Sequence, residues 1–205
     1  VNFLLDNLRI QNNLIEASWK HNIKRLLFLG SSCIYPRECI QPIKEEYLLT
    51  NSLEETNQWY ALAKIAGIKL CEAYRKQYNF DAISLMPTNL YGPNDNYDYK
   101  NSHVMAALIR KFYEAKKYKK KEVICWGTGT PLREFLYVDD LAEACLFALD
   151  KWIPSQDNHR KDSKVDSVNW INIGSEFEIS IKELALKISD IIGYKGKISW
   201  DKSKP

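Results

Sequence analysis

Arg25-Leu26-Leu27-Phe28-Leu29-Gly30-Ser31-Ser32-Cys33 is a short apolar run that stops at a glycine and two serines. It has the form of a buried strand that delivers its C-terminal end into a polar turn. Upstream, Leu4, Leu8, Leu14 and Ile15 recur at near-helical spacing until about residue 19, and His21-Asn22 breaks the pattern. The opening therefore reads as helix, turn, buried strand. Downstream, a polar, proline-containing loop over 36–55 leads to a helix that carries Tyr60 and Lys64 and runs on through Leu70, Tyr74 and Tyr78. Asp81-Ala82-Ile83-Ser84-Leu85-Met86 is the next strand, stopped by Pro87.

Beyond it, Asn89-Leu90-Tyr91-Gly92-Pro93-Asn94-Asp95 reads as a turn-rich loop at the C-terminal end of that strand, where parallel sheets bind ligands. Ser102 is placed to cap a helix over 103–116, and Glu122-Val123-Ile124-Cys125-Trp126-Gly127 reads as a strand that closes in a Gly127-Thr128-Gly129-Thr130-Pro131 turn. A helix over 138–152 opens with Asp139 and Asp140, and the polar stretch 154–166 is expected as an exposed loop. Trp170-Ile171-Asn172-Ile173-Gly174 returns as a strand, Ser180 with Glu183 forms a capping box for a helix ending near Gly193, and Lys197-Ile198-Ser199-Trp200 is a last strand. Strands alternating with helices argue for an α/β, Rossmann-like, doubly wound parallel sheet. No Gly-x-Gly-x-x-Gly occurs, and Gly127-Thr128-Gly129 runs into proline, which rules it out as a helix-opening phosphate cradle.

A chain of 205 residues with a net charge of +3 can bury one core, with a small C-terminal appendage. The positive excess sits largely in Lys116, Lys117, Lys119, Lys120 and Lys121, a single run that reads as a solvated helix end. Nucleic-acid binding needs basic residues spread along a face with stacking aromatics, so it is not expected. Cys33, Cys39, Cys71, Cys125 and Cys145 are spread out, with no Cys-x-x-Cys pair, and read as reduced thiols of a cytoplasmic protein without a metal site. No apolar stretch is long enough to span a bilayer, and no signal core is present.

Tyr60 and Lys64 carry the chemistry. Residues i and i+4 stack on one helix face, so the ammonium can lie beside the phenol, where a cation favours phenolate and lowers the tyrosine pKa. A phenol so tuned exchanges a proton near neutrality with a substrate oxygen that Ser31 can hold. The spacing alone also occurs on many solvated helices. The strand-end serines are what strengthen it.

Gly30-Ser31-Ser32 after a strand, Tyr60-x-x-x-Lys64, Asn89-Leu90-Tyr91-Gly92-Pro93 and Arg133-Glu134-Phe135-Leu136-Tyr137-Val138-Asp139-Asp140 stand in an order that resembles the extended short-chain dehydrogenase/reductases acting on nucleotide sugars. Within that family, Leu27 to Pro36, Met86 to Asn96 and Asn101-Ser102-His103-Val104 resemble the GDP-L-fucose synthase branch, and the likeness covers essentially the whole chain. The resemblance implies 3,5-epimerisation of GDP-4-keto-6-deoxy-mannose followed by NADPH-dependent reduction at C4. It implies Cys33 and His103 as the base and acid of the epimerisation. For the reduction it implies Tyr60 as proton donor, Ser31 as a hydrogen-bond donor to the same oxygen, and Lys64 on the nicotinamide ribose. Leu29, Gly30, Ser31, Ser32, Pro87, Thr88, Asn89, Leu90 and His103 are implied along the cofactor, and Lys111, Trp126, Arg133 and Asp201 against the GDP-sugar. Read without the resemblance, Cys33 is core packing, His103 and Asp139 are helix caps, Asn89 is a turn former, Trp126 is core and Lys111 is a surface lysine.

The resemblance also implies that 1–205 is a partial epimerase/dehydratase domain, mainly its cofactor-binding portion, with substrate segments around 92–135 and 174–205. The family's first strand, glycine-rich turn and helix are not in this chain, and the family continues beyond Pro205, so the chain reads as truncated and inactive by itself. Related enzymes pair through the first helix and the Tyr60 helix, which implies a homodimer. The alternatives are another nucleotide-sugar epimerase, dehydratase or reductase of the same superfamily, a Rossmann-like module that binds without turnover, and a Cys-His hydrolase for which no third orienting group presents itself.

Overall fold

A computed structural model describes residues 1–99, 101–154 and 169–204. Its helices and strands, in chain order, are α1 (Asn2–Lys20), β1 (Leu26–Leu29), α2 (Gln58–Tyr78), β2 (Ala82–Pro87), β3 (Asn89–Tyr91), α3 (Val104–Lys117), β4 (Glu122–Trp126), β5 (Leu132–Tyr137), α4 (Val138–Asp150), β6 (Trp170–Ile173), β7 (Glu178–Ser180), α5 (Ile181–Ile192) and β8 (Lys197–Asp201). They divide into two compact units, Val1–Thr88 with Asp139–Ile173, and Asn89–Val138 with Gly174–Pro205.

In the first unit β1, β2 and β6 form a parallel sheet with β2 in the centre. The period-2 alternation of a strand decides what each face meets. Phe28, Ala82, Met86 and Trp170 face a core shared with Ile15 of α1 and Ile65, Ile68 and Cys71 of α2. Leu27, Ile83, Leu85, Ile171 and Ile173 turn the other way, onto Cys145 and Ala148 of α4 and Trp152. Every residue of β2 is buried, as a strand covered on both faces requires. The doubly wound reading therefore holds for this sheet. Gly67 lets α2 lie against β1, since a Cβ there would sit 2.4 Å from the Phe28 ring. Gln11 of α1 is buried and donates to the Ala63 carbonyl at 2.7 Å.

The second unit holds β3-β5-β7, in which β3 and β5 are parallel and β5 and β7 antiparallel, and the separate parallel pair β4-β8. Val123 and Cys125 of β4 point inward, onto Leu108, Phe112 and Ala115 of α3 and Leu184, Ala185 and Ile188 of α5. The Ser180–Glu183 capping box and a left-handed Gly193 bound α5, as the sequence predicts.

Three expectations change. Asn89-Leu90-Tyr91 is a strand rather than a loop, because it finds Phe135, Leu136 and Tyr137 to pair with. The Arg133-Glu134 motif lies on β5, a strand that the local pattern did not show, and β7 precedes α5 as a further short strand. Helix α3 is capped at His103 rather than Ser102. The strands fall into three sheets, one in the first unit and two in the second. The polar stretch expected over 154–166 lies, from 155 onward, outside the described residues. No helix among the described residues is long and apolar enough to cross a membrane.

Candidate active site

The parallel strand β1 ends at Leu29, and the Gly30 amide extends the ladder by donating to the Leu85 carbonyl at 2.9 Å. The chain then turns through one 3-10 turn, Ser32–Ile34, capped by Ser31, whose Oγ accepts from the Cys33 amide at 3.2 Å. Ile34 is fully buried, so the short turn leaves the Cys33 thiol outward and exposed. That exposure removes the reading of Cys33 as core packing.

Helix α2 brings Tyr60 to the same turn. Ser31 and Cys33 are the residues of that turn that act on the Tyr60 hydroxyl, Ser31 favouring and Cys33 opposing its ionisation. Lys64 follows one turn later, its Nζ donating to the Leu29 carbonyl at 2.9 Å and standing 5.1 Å from the centre of the Phe28 ring and 5.7 Å from that of Tyr60. Ser31, Cys33, Tyr60 and Lys64 are thus assembled at the C-terminal end of a parallel strand, the edge where such sheets bind ligands. Gly30, Ser32, Pro87 and Thr88 lie at the same strand ends, and the Thr88 amide donates to the Ile173 carbonyl at 3.1 Å.

The titration of this group differs from expectation. Burial raises the Tyr60 pKa, the hydrogen bond with Ser31 opposes the rise, and Cys33 adds to it; the net direction is upward. Lys64, moved downward by its own burial, spends a donor on Leu29 instead of sitting on the phenol oxygen. The expected lowering of Tyr60 by Lys64 is therefore corrected. Tyr60 stays protonated to higher pH than an ordinary phenol.

In the second unit, three of the substrate candidates come together. Trp126 and Asp201 are register partners at the ends of β4 and β8, and the Gly127 amide donates to the Asp201 carbonyl at 2.9 Å. Lys111 reaches over from α3, its Nζ 4.8 Å from the Trp126 ring centre and 3.3 Å from the Ile124 carbonyl, with its pKa lowered by burial. Trp126 is 56% exposed, so it is not a core residue, and a half-buried Lys111 is more than a surface lysine. The Asp201 carboxylate accepts from the Ser203 amide and hydroxyl at 3.0 and 2.6 Å.

Arg133 is exposed on β5, its guanidinium donating to the Leu132 carbonyl at 2.7 Å. His103 is exposed at the cap position of α3, yet its imidazole makes no capping bond, which leaves the ring available. Asn89 donates from Nδ2 to the Glu134 carbonyl at 2.9 Å, and half-buried Leu90 pairs with Leu136. Glu134 stands in the quoted motif, but the sequence gives it no role. Its carboxylate accepts from the Ser175 and Glu176 amides at 2.5 and 2.9 Å, and a Cβ on Gly174 would stand 2.1 Å from it. Among the described residues no cluster of three or more His, Cys, Asp or Glu is placed to hold a metal.

Comparison with known proteins adds the family. Residues 1–160 match the model of the NAD dependent epimerase/dehydratase family. The chain is 55% identical over 203 residues to GDP-L-fucose synthase 1 of Arabidopsis thaliana, an alignment that takes in 99% of this chain and 59% of the relative. It is similar to a GDP-6-OMe-4-keto-L-xylo-heptose reductase from C. jejuni, with 37% identity and a TM-score of 0.88 over 100% of this chain and 66% of that one. A GDP-L-fucose synthetase from Naegleria fowleri bound to NADP superposes with a TM-score of 0.86 at 29% identity, over 100% of this chain and 62% of that one. The chain spans about three-fifths of the length of the curated relatives it matches.

Proposed function

The chain belongs to the NAD dependent epimerase/dehydratase family, and from that premise we propose that the full-length protein is an NADPH-dependent GDP-L-fucose synthase, epimerising GDP-4-keto-6-deoxy-mannose at C3 and C5 and reducing it at C4. One observation carries the reading: Ser31 and an exposed Cys33 share the turn at the end of β1, and Lys64, one helical turn beyond Tyr60, donates to the Leu29 carbonyl at that same strand end. A reductase alone needs Ser31, Tyr60 and Lys64, whereas the adjacent thiol answers to a second proton-transfer task. The names of the relatives support the substrate class.

The C4 carbonyl acidifies the C–H bonds at C3 and C5, so a base removes a proton and an acid returns one to the opposite face. Cys33 and His103 take those two roles. When bound, NADPH supplies the hydride for C4. Ser31 donates to the developing C4 oxygen, and Tyr60 gives that oxygen its proton, which leaves phenolate to be reprotonated from solvent. The residues present fit the nicotinamide-ribose end of the cofactor: the Lys64 ammonium beside the Leu29 carbonyl offers a donor and an acceptor to a ribose diol. Gly30, Ser32, Pro87, Thr88, Asn89, Leu90 and His103 are assigned along the same cofactor. Trp126 covers a ring of the GDP-sugar, with Lys111, Arg133 and Asp201 as its polar contacts, and Arg133 suits the diphosphate by its forked donors.

Helices α1 and α2 leave Phe3, Ile10, Leu14, Trp59 and Leu62 exposed. This apolar face is assigned to a homodimer, and the protein to the cytoplasm. The function is tested by giving the full-length protein GDP-4-keto-6-deoxy-mannose and NADPH and identifying the sugar. GDP-L-fucose is expected; an unepimerised 6-deoxyhexose would leave only the reductase, and a folded protein that consumes no NADPH would remove both activities.

A further inference from the structure

The turn that presents Cys33 is weak by its own hydrogen bonds. Ile34 and Tyr35 donate to the Ser31 and Ser32 carbonyls at 3.2 and 3.3 Å, at the long end of the range for such bonds. Its incoming end is fixed to the sheet by Gly30 on Leu85 at 2.9 Å. Its outgoing end is fixed by a side chain: Tyr35, 4% exposed, donates from its hydroxyl to Asn172 Oδ1 on β6 at 2.5 Å. Asn172 is itself held, its Nδ2 donating to the Ile43 carbonyl and its amide to Glu45 Oε1, both at 2.9 Å.

We propose that Tyr35 is a positioning residue for the epimerisation half of the reaction: bonded to Asn172, it holds the Ser32–Ile34 turn so that the Cys33 thiol keeps one place beside Tyr60. The proposal rests on the synthase reading for what Cys33 does, and on geometry alone for what Tyr35 does. Tyr60 and Lys64 ride on α2, whose position is set by the packing of Gly67, Ile65 and Ile68 against the sheet. The Tyr35 ring shares that core and is kept in phenylalanine, so the hydroxyl bond can be removed while the packing under α2 stays. Loss of that bond therefore acts on proton transfer at Cys33 before it acts on reduction.

The test is Tyr35→Phe in the full-length protein, with two readouts beside a thermal melt. Amide hydrogen exchange at 33–35 accelerates about tenfold, the scale of one lost buried hydrogen bond, while exchange along α2 stays unchanged. With substrate and NADPH, the share of unepimerised 6-deoxyhexose among the products rises, whereas a uniformly less stable protein leaves that ratio alone. Unchanged exchange at 33–35 overturns the anchor. Faster exchange with an unchanged product ratio overturns its link to Cys33. If the unaltered protein makes no GDP-L-fucose, the reaction reading fails separately, and amide exchange alone decides whether Tyr35 holds the turn.

Discussion

The Lys64 ammonium donates to the Leu29 carbonyl at 2.9 Å, tying the helix that carries Tyr60 to the end of the strand that delivers Ser31. The bond orients Lys64 along the strand end and draws its charge off the phenol. Lys64→Met therefore raises the KM for NADPH more than it moves the alkaline limb of the reduction. A rise of about tenfold in KM, read by steady-state kinetics, is expected for one lost charge-assisted bond.

The pH profile follows from the neighbours of Tyr60. Its pKa is raised by burial, lowered by the bond with Ser31 and raised again by Cys33. Ser31→Ala removes a stabiliser of phenolate, so the alkaline limb of the reduction moves to higher pH. Cys33→Ala removes a repelling charge, so the limb moves to lower pH. Reduction rates across pH 7–11, at about saturating NADPH, read both signs; equal shifts in one direction contradict the assignment.

Asp81 accepts from Arg25 Nε at 2.5 Å and from Arg75, while Arg25 also donates to the Leu149 and Trp152 carbonyls at 2.9 and 3.2 Å, near the end of α4. Burial pushes the Asp81 carboxyl up, but the two guanidinium bonds outweigh it and leave the pKa lowered. A lowered folded-state value stabilises the protein above the unfolded carboxyl pKa, and the contribution fades as pH falls through the folded value. Asp81→Asn is expected to cost about 1–2 kcal/mol at pH 7, given a partly exposed group, and less at about pH 3, below the unfolded carboxyl pKa of about 3.9. Urea titrations at the two pH values check it.

Gly67 stands where a Cβ would meet the Phe28 ring at 2.4 Å. Gly67→Ala gains helix propensity of about 1 kcal/mol and loses packing of about 1–3 kcal/mol. The net is destabilising, measured as a lower denaturation midpoint. A stabilised variant would show that α2 can move off β1 freely.

The exposed apolar residues of α1 and α2 predict association. Ile10, 68% exposed, and Leu62, 44% exposed, are replaced together by Glu. Sedimentation equilibrium then shows a monomer where the unaltered full-length protein shows a dimer. Identical masses for the two proteins contradict the dimer face.

What was legible in the sequence follows contact range. Leu26 to Leu29 and Ala82 to Pro87 are read because an apolar run bounded by glycine or proline is itself the signal of a buried strand, and α5 because Ser180, Glu183 and Gly193 mark both its ends locally. Asn89 to Tyr91 looks like a turn because Gly92-Pro93 follows at once, and its strand exists only through Phe135 to Tyr137. The site divides the same way. Tyr60 and Lys64 are visible as an i, i+4 pair, but the carbonyl that Lys64 prefers belongs to Leu29 and the partner of Tyr35 to Asn172, and no local pattern names either.

The central claim is that one site separates two chemistries, with Cys33 moving carbon-bound protons and Tyr60 completing the reduction. Tyr60→Phe in D2O tests it most directly, with deuterium in the recovered GDP-4-keto-6-deoxy-hexose and NADPH oxidation followed in the same sample. The account predicts deuterium at C3 and C5 at close to the unaltered rate, with reduction slowed by about 10²–10⁴-fold. Loss of both, or undiminished NADPH oxidation, would contradict it.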